Sequence, residues 1–199
     1  MEKISLSDTE QIYRFTFENY SKYAVVEECI VNSDISNPPK LPRENSPGFQ
    51  SDVQIINGEL EGLVKEINNL VTSEIYKDQT SKYGFRNWVY ISDSSNNYGF
   101  YHRHTSMKYL HCEGEWTWTF YVQMPNNLEH DDGKLSFKLK DGKVVNFLPK
   151  EGNLFVFPAS LDHMPLLNKK STKDRIVIGG TLSRLDMNHR YVKGTKTLL

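Results

Sequence analysis

The chain has 199 residues, with 24 Lys and Arg against 25 Asp and Glu, a formal net charge of −1 and 38% hydrophobic residues. This length suits a single domain over residues 1–199, and the charge balance lacks the basic excess that is typical of a nucleic-acid-binding protein. Cys29 and Cys112 are the only cysteines and are far apart in the sequence, which argues against a secreted disulfide framework.

The first third of the chain has mixed signals. Ser7 and Glu10 have the spacing of a helix capping box, whereas the alternating aromatic residues of 13–17 indicate a strand. Both patterns hold if a short turn precedes the strand. Four prolines within residues 36–48 argue against regular structure in that segment.

Residues 57–76 have helical spacing. Asn57 is placed to cap the helix, and Glu59 and Glu61 favour its positive N-terminal end. The apolar residues that recur on one stripe are Leu60, Leu63, Val64, Ile67, Leu70, Val71 and Ile75. We therefore predict a helix that covers one face of a sheet.

From Phe85 onward, short apolar strands alternate with turns. The predicted strands are 85–91, 116–123, 135–139, 144–147, 154–157 and 175–182, with turns at Asp141-Gly142 and Glu151-Gly152. In strand 116–123 the alternation places Trp118 and Phe120 on one face and Tyr121 on the other. Many short strands separated by turns indicate a mainly β sandwich or barrel.

Three of the six histidines are notable for their positions. His102 and His104 occupy alternate positions of a predicted strand, so their side chains point to one face, and His163 follows strand 154–157. Imidazoles on one face can chelate one divalent ion. Taken singly, the pair is better explained as exposed strand residues, and His163 as a turn residue beside Asp162. Their convergence with Arg175 favours a metal site.

Arg175 opens an apolar strand beyond His163. Its guanidinium can reach solvent, pair with Asp162 or Asp174, or hold an anionic ligand. Arginine is the side chain best shaped to bind a carboxylate through two parallel hydrogen bonds. Metal-binding histidines followed by an inward arginine are what a metal ion and a dicarboxylate cosubstrate need.

Three segments, in this order, resemble the Fe(II)/2-oxoglutarate oxygenase superfamily, and within it a small phage and bacterial group. The segments are Pro-Gly-Phe-Gln-Ser-Asp at 47–52, Tyr-His-Arg-His at 101–104 with the strand at 119–125, and the strand at 151–158 with His163 and 175–178. The resemblance runs from about 46 to 183 and leaves the N-terminus uncovered.

The resemblance implies a double-stranded β-helix, or jelly roll, with its metal-site core at about 85–183. Fe(II) is then held by His102, His104 and His163, and 2-oxoglutarate chelates the metal and pairs with Arg175. Tyr121, on the face opposite to the tryptophans of its strand, is a further residue for binding the cosubstrate. The implied reaction consumes O₂ and 2-oxoglutarate, forms succinate, and hydroxylates an unknown small-molecule or peptide substrate.

The sequence departs from the superfamily at one ligand. Most members have a carboxylate where His104 stands, which gives two histidines and one carboxylate. Residues 105–114 form a longer insert that contains His111 and Glu113, so Glu113 is an alternative third ligand, although the His102–His104 pair is preferred.

Two other functions remain open. A cupin-like metal-binding or sugar-binding barrel without oxygenase activity also suits an all-histidine site, but it has no general need for Arg175. A structural phage protein would bind no metal.

The first residues lack the apolar core of a signal peptide, and no stretch has the apolar length of a membrane span. We therefore expect a cytoplasmic protein that binds no membrane, with a homodimer left open as its assembly.

Overall fold

The computed structural model describes residues 1–35, 49–50, 58–77, 83–92, 100–104, 115–167, 169–184 and 196–197. The strands are β1 (Glu2–Ser5), β2 (Gln11–Thr16), β3 (Phe49–Gln50), β4 (Tyr83–Ser92), β5 (Trp116–Gln123), β6 (Leu135–Lys138), β7 (Val144–Phe147), β8 (Asn153–Pro158), β9 (Asp162–Pro165), β10 (Arg175–Arg184) and β11 (Lys196–Thr197). The helices are α1 (Lys22–Ile35) and α2 (Gly58–Val71), and a π-helical turn, Thr72–Tyr76, continues α2.

The strands form two antiparallel sheets. The larger sheet has the order β1-β2-β8-β5-β10-β4-β11, with β3 also paired to β4, and the smaller sheet has the order β7-β6-β9. An isolated bridge between His102 and His163 adds the segment after β4 to the smaller sheet. From β4 to β10 the chain therefore passes repeatedly from one sheet to the other. This is a double-stranded β-helix, the form of β sandwich that the resemblance implied.

Strand β5 shows how the sequence pattern builds two cores. Trp118 and Phe120 are fully buried on the face that packs against the helices, together with Leu60 and Ile67 of α2. Tyr121 lies on the opposite face, in the core between the two sheets. The predicted alternation along this strand is confirmed, and it places one face of the larger sheet in the interior of the sandwich.

Helix α2 covers the outer face of the larger sheet, as predicted. Its apolar stripe is buried, and the buried Trp118 Nε1 donates a hydrogen bond to Asn68 Oδ1 at 3.2 Å. The predicted cap, Asn57, lies outside the described residues. Glu28 of α1 accepts hydrogen bonds from the backbone N–H groups of Glu59 and Leu60 at 3.1 and 2.7 Å, so it provides a cap from the neighbouring helix. Helix α1 was not predicted.

Several local predictions have clear outcomes. A turn does precede β2, because the Glu10 N–H donates to Ser7 Oγ at 3.1 Å and β2 begins at the next residue. The β6–β7 hairpin forms around Asp141-Gly142 as predicted.

The proline-containing segment 36–48 and Cys112 lie outside the described residues. Within the described part of the chain, none of the helices is long and apolar enough to cross a bilayer.

Candidate metal centre

The histidine segment is attached to β9 by the backbone. His102 N–H donates to His163 O at 3.0 Å, His163 N–H donates to His102 O at 3.1 Å, and His104 N–H donates to Ala159 O at 2.9 Å. The prediction of a strand over residues 101–104 is wrong, since only the single bridge at His102 forms and the chain bends at His104. The bridge nevertheless places the segment beside the third histidine.

The three predicted histidines converge. One ring nitrogen from each of His102, His104 and His163 lies within 4.8 Å of the other two, and Nε2 of His104 is 3.2 Å from Nε2 of His163. Two nitrogens that each bind one metal at about 2.1 Å are roughly 3 Å apart, so this spacing suits a shared ion. Glu113, the alternative third ligand, lies outside the described residues, as does His111.

The outer hydrogen bonds of two rings fix which nitrogen faces the centre. His102 Nδ1 lies 3.2 Å from Phe100 O, and His163 Nδ1 lies 3.0 Å from Leu161 O. Because a carbonyl oxygen only accepts, each Nδ1 carries the hydrogen and each Nε2 keeps its lone pair in the neutral ring. Histidines that bind metals are commonly oriented in this way by a backbone carbonyl.

Burial keeps these imidazoles neutral. It lowers the pKa of His104 to about 3, and the repulsion that a protonated His104 would meet from Arg86 and from a protonated His102 adds to the effect. Burial also lowers the pKa of His163 well below its usual value. For His102, burial lowers the pKa although the carbonyl of Phe100 and the charge of Asp162 oppose it. Because a metal binds only the unprotonated ring, all three are ready to coordinate at neutral pH.

Aromatic side chains enclose the cluster. The Trp88 ring lies 5.2 Å from the His104 ring, and the Phe157 ring lies 4.7 Å from the His163 ring, measured between centroids. Trp88 and Arg86 were not identified from the sequence as site residues. The alternation along β4 contained a signal for them. Phe85 and Val89 lie in the core under the helices, so Arg86 and Trp88, at positions of opposite parity, face the sandwich interior.

Arg175 lies on the same interior face, at the start of β10. It is 3% exposed, its Nη1 donates to Leu166 O at 2.7 Å, and its Nε has no hydrogen-bond partner among the described residues. The ion pairs within the described ranges do not include Arg175, and Asp162 instead binds Arg103. A buried guanidinium without a counter-charge is unfavourable, so this position suits the carboxylate of a ligand.

Tyr121 lies close to Arg175. Both Tyr121 and Arg175 border Val177: Tyr121 is its direct partner on β5, and Arg175 stands two residues before it on β10. Burial raises the pKa of Tyr121 to about 12, although the charge of Arg175 and the hydroxyl of Thr119 act in the opposite direction. The phenol is therefore neutral and can donate a hydrogen bond toward the same ligand.

His130 is exposed and His189 lies outside the described residues.

The sequence matches no protein-family model and no curated protein. Solved structures do match. A Pseudomonas putida prolyl-4-hydroxylase aligns with a TM-score of 0.64 at 14% identity, over 89% of this chain and 95% of its own. The carbocyclase SnoK from nogalamycin biosynthesis, described as non-heme and α-ketoglutarate-dependent, aligns with a TM-score of 0.68 at 10% identity, over 90% and 81%.

A third match is the viral collagen prolyl hydroxylase from Paramecium Bursaria Chlorella virus-1, solved as a 2OG complex. It aligns with a TM-score of 0.57 at 15% identity, over 91% of this chain and all of its own (100%). At such identities the likeness establishes the fold. The chain therefore has the double-stranded β-helix fold of these prolyl hydroxylases and of the carbocyclase, the fold that its resemblance to the Fe(II)/2-oxoglutarate oxygenases implied.

Proposed function

We propose that this protein is a Fe(II)- and 2-oxoglutarate-dependent dioxygenase that hydroxylates an unidentified small-molecule or peptide substrate. One observation carries the proposal. Three neutral histidines converge beside one face of the sandwich interior, and a buried arginine without a carboxylate partner among the described residues lies farther along that face. A metal ion bound by the histidines and a dicarboxylate bound by both the metal and the arginine would satisfy both groups.

The residues have distinct roles in this proposal. His102, His104 and His163 hold Fe(II) through their inward nitrogens, Arg175 binds the distal carboxylate of 2-oxoglutarate, and Tyr121 donates to the same carboxylate. When bound, Fe(II) and 2-oxoglutarate would supply O₂ activation coupled to oxidative decarboxylation, which yields succinate. The surrounding aromatic residues exclude water from the centre.

The solved neighbours support the class of reaction and not the substrate. Two of them are prolyl hydroxylases, one of those is a 2OG complex, and a third is an α-ketoglutarate-dependent carbocyclase. Enzymes that share a fold often act on unrelated substrates, because substrates are recognised mainly by loops. The sequence predicts loops over 92–97 and 105–114 for this role, and apart from Ser92 these residues lie outside the described part of the chain.

Calorimetric titration of the anaerobic Fe(II)-loaded protein with 2-oxoglutarate tests the proposal. Arg175→Lys keeps the charge but loses the two-pronged guanidinium, and charged hydrogen bonds contribute about 1.5–3 kcal/mol each. We expect at least about tenfold weaker binding of 2-oxoglutarate in this variant, with the metal retained. Arg14→Lys is the matched control, since Arg14 pairs with Glu2 at the edge strand β1.

One observation favours a second candidate. The cluster contains three histidines and no carboxylate among the described residues, which also suits a cupin-like metal-binding barrel without 2-oxoglutarate-dependent activity. Equal affinity of the wild type and Arg175→Lys for 2-oxoglutarate, or no binding by either, would leave that candidate ahead. If Glu113→Ala abolishes metal binding while His104→Ala does not, Glu113 replaces His104 as the third ligand.

A further inference from the structure

The segment that carries two of the three histidines has little backbone support. Among the described residues, His102 and His104 make the three backbone hydrogen bonds given above, and no ladder continues on either side of the bridge. Side chains make the remaining contacts of the segment. Tyr101 Oη lies 2.7 Å from Ser136 Oγ, and Lys138 Nζ lies 6.0 Å from the centre of the Tyr101 ring.

A further side-chain contact of the segment is an ion pair. Arg103 Nε and Nη2 each lie 2.6 Å from one carboxylate oxygen of Asp162. This bidentate ion pair connects the segment of His102 and His104 to the strand of His163. Arg103 stands between His102 and His104, and Asp162 directly precedes His163. The pair therefore links the two chain segments within one residue of every histidine, and it lies on the side of the segments that faces solvent.

We propose that the Arg103–Asp162 pair is a clasp that positions the three histidines for the metal ion, an inference that rests on the proposed metal centre. Neither residue contacts the ion in this arrangement, so both are positioning residues. A two-pronged guanidinium–carboxylate pair fixes distance and orientation together. Without the pair, His102 and His104 would become ordered against His163 only when the metal binds. The free-energy cost of this ordering would then lower the affinity for the metal ion.

A double-mutant cycle on metal affinity tests the clasp. Co(II) is the probe, because its visible absorption reports coordination, and its dissociation into a chelator gives a rate. We expect Arg103→Ala and Asp162→Asn each to weaken Co(II) binding by about three- to fivefold, the upper range for an ion pair whose arginine is more than half exposed. Because both substitutions remove one interaction, the double variant should be no weaker than either single variant.

Arg14→Ala is the matched control, since it removes another guanidinium–carboxylate pair, with Glu2, at the edge of the larger sheet. It should leave Co(II) affinity unchanged, and the melting temperatures of the metal-free variants should be similar. Affinities of Arg103→Ala and Asp162→Asn within twofold of the wild type, or additive losses, would overturn the clasp alone. A wild-type protein that binds no Co(II) would overturn the metal centre and the clasp together.

Discussion

The three histidines of the proposed metal centre are neutral because they are buried, and this has a consequence for stability. In the unfolded chain a histidine has a pKa of about 6.5, whereas in the folded protein the pKa of His104 is lowered to about 3 and that of His163 is also well below normal. Between the two pKa values the unfolded state binds protons that the folded state does not. Stability is therefore greatest above the unfolded pKa and falls as the pH falls below it.

We expect the metal-free protein to lose stability between pH 6.5 and pH 5. Each histidine that stays neutral in the fold contributes a loss of up to about 1.4 kcal/mol per pH unit in this window. Urea unfolding at several pH values measures the free energy of unfolding directly. His104→Phe should reduce the slope of stability against pH, because it removes one of the buried neutral imidazoles. A free energy of unfolding that stays constant from pH 6.5 to pH 5 would contradict the burial of neutral imidazoles.

The pairing of β10 with β4 controls the space beside His104. Gly179 is directly opposite Trp88, and a Cβ atom added at Gly179 would lie 2.6 Å from the indole ring. The same ring packs against the His104 imidazole. Glycine at this position therefore lets the two strands place an indole beside His104, a proposed metal ligand, which a larger residue would prevent.

Gly179→Ala is expected to displace the Trp88 ring and to destabilise the protein by about 1–3 kcal/mol, the usual cost of overpacking. It should also weaken Co(II) binding, because His104 loses its packing partner. Urea unfolding and metal titration measure the two effects. Gly62→Ala in α2 is the control: no atom lies within 4 Å of the added Cβ, so stability should be unchanged or slightly higher. Equal stabilities of the two variants would show that the indole adjusts without cost.

The elements differ in how far the sequence could predict them. Helix α2 was predictable because its apolar residues lie on one stripe, and β10 because a run of apolar residues follows Arg175. Helix α1 was missed, since its apolar residues are spread around it: Val25 and Cys29 are buried, whereas Tyr23 is exposed. The false strand over 101–104 has another cause. Whether a short segment pairs depends on its partner, and local sequence carries little information about that.

The same distinction holds for the candidate site. His102, His104, His163 and Arg175 could be proposed because their order along the chain resembles a known arrangement, and Tyr121 because it faces away from the tryptophans of its strand. The Arg103–Asp162 pair and the Trp88–His104 contact could not, because each joins residues from distant segments and depends on side-chain directions. The orientation of the imidazoles by Phe100 O and Leu161 O likewise requires coordinates.

At the scale of the whole molecule, the proposed metal centre joins separate parts of the chain. His102 and His104 follow β4, and His163 comes from β9 after the chain has passed through β5 to β8. The site therefore exists only when the sandwich has formed. An ion that binds the folded state and not the unfolded chain stabilises the fold in proportion to the logarithm of its concentration over its dissociation constant.

We expect Co(II) at about 100 times its dissociation constant to stabilise the protein by about 2.7 kcal/mol, which for a chain of this size raises the melting temperature by roughly 5–10 °C. Thermal unfolding followed by circular dichroism measures the shift. His163→Ala removes one ligand and should abolish most of it, when each variant is compared with and without the ion. Mg(II) at the same concentration is the second control, because it prefers oxygen ligands to imidazole and should have little effect. If Co(II) raises the melting temperature of His163→Ala as much as that of the wild type, the stabilising metal binds elsewhere and not between the three histidines. The same conclusion follows if Mg(II) raises the melting temperature of the wild type as much as Co(II) does.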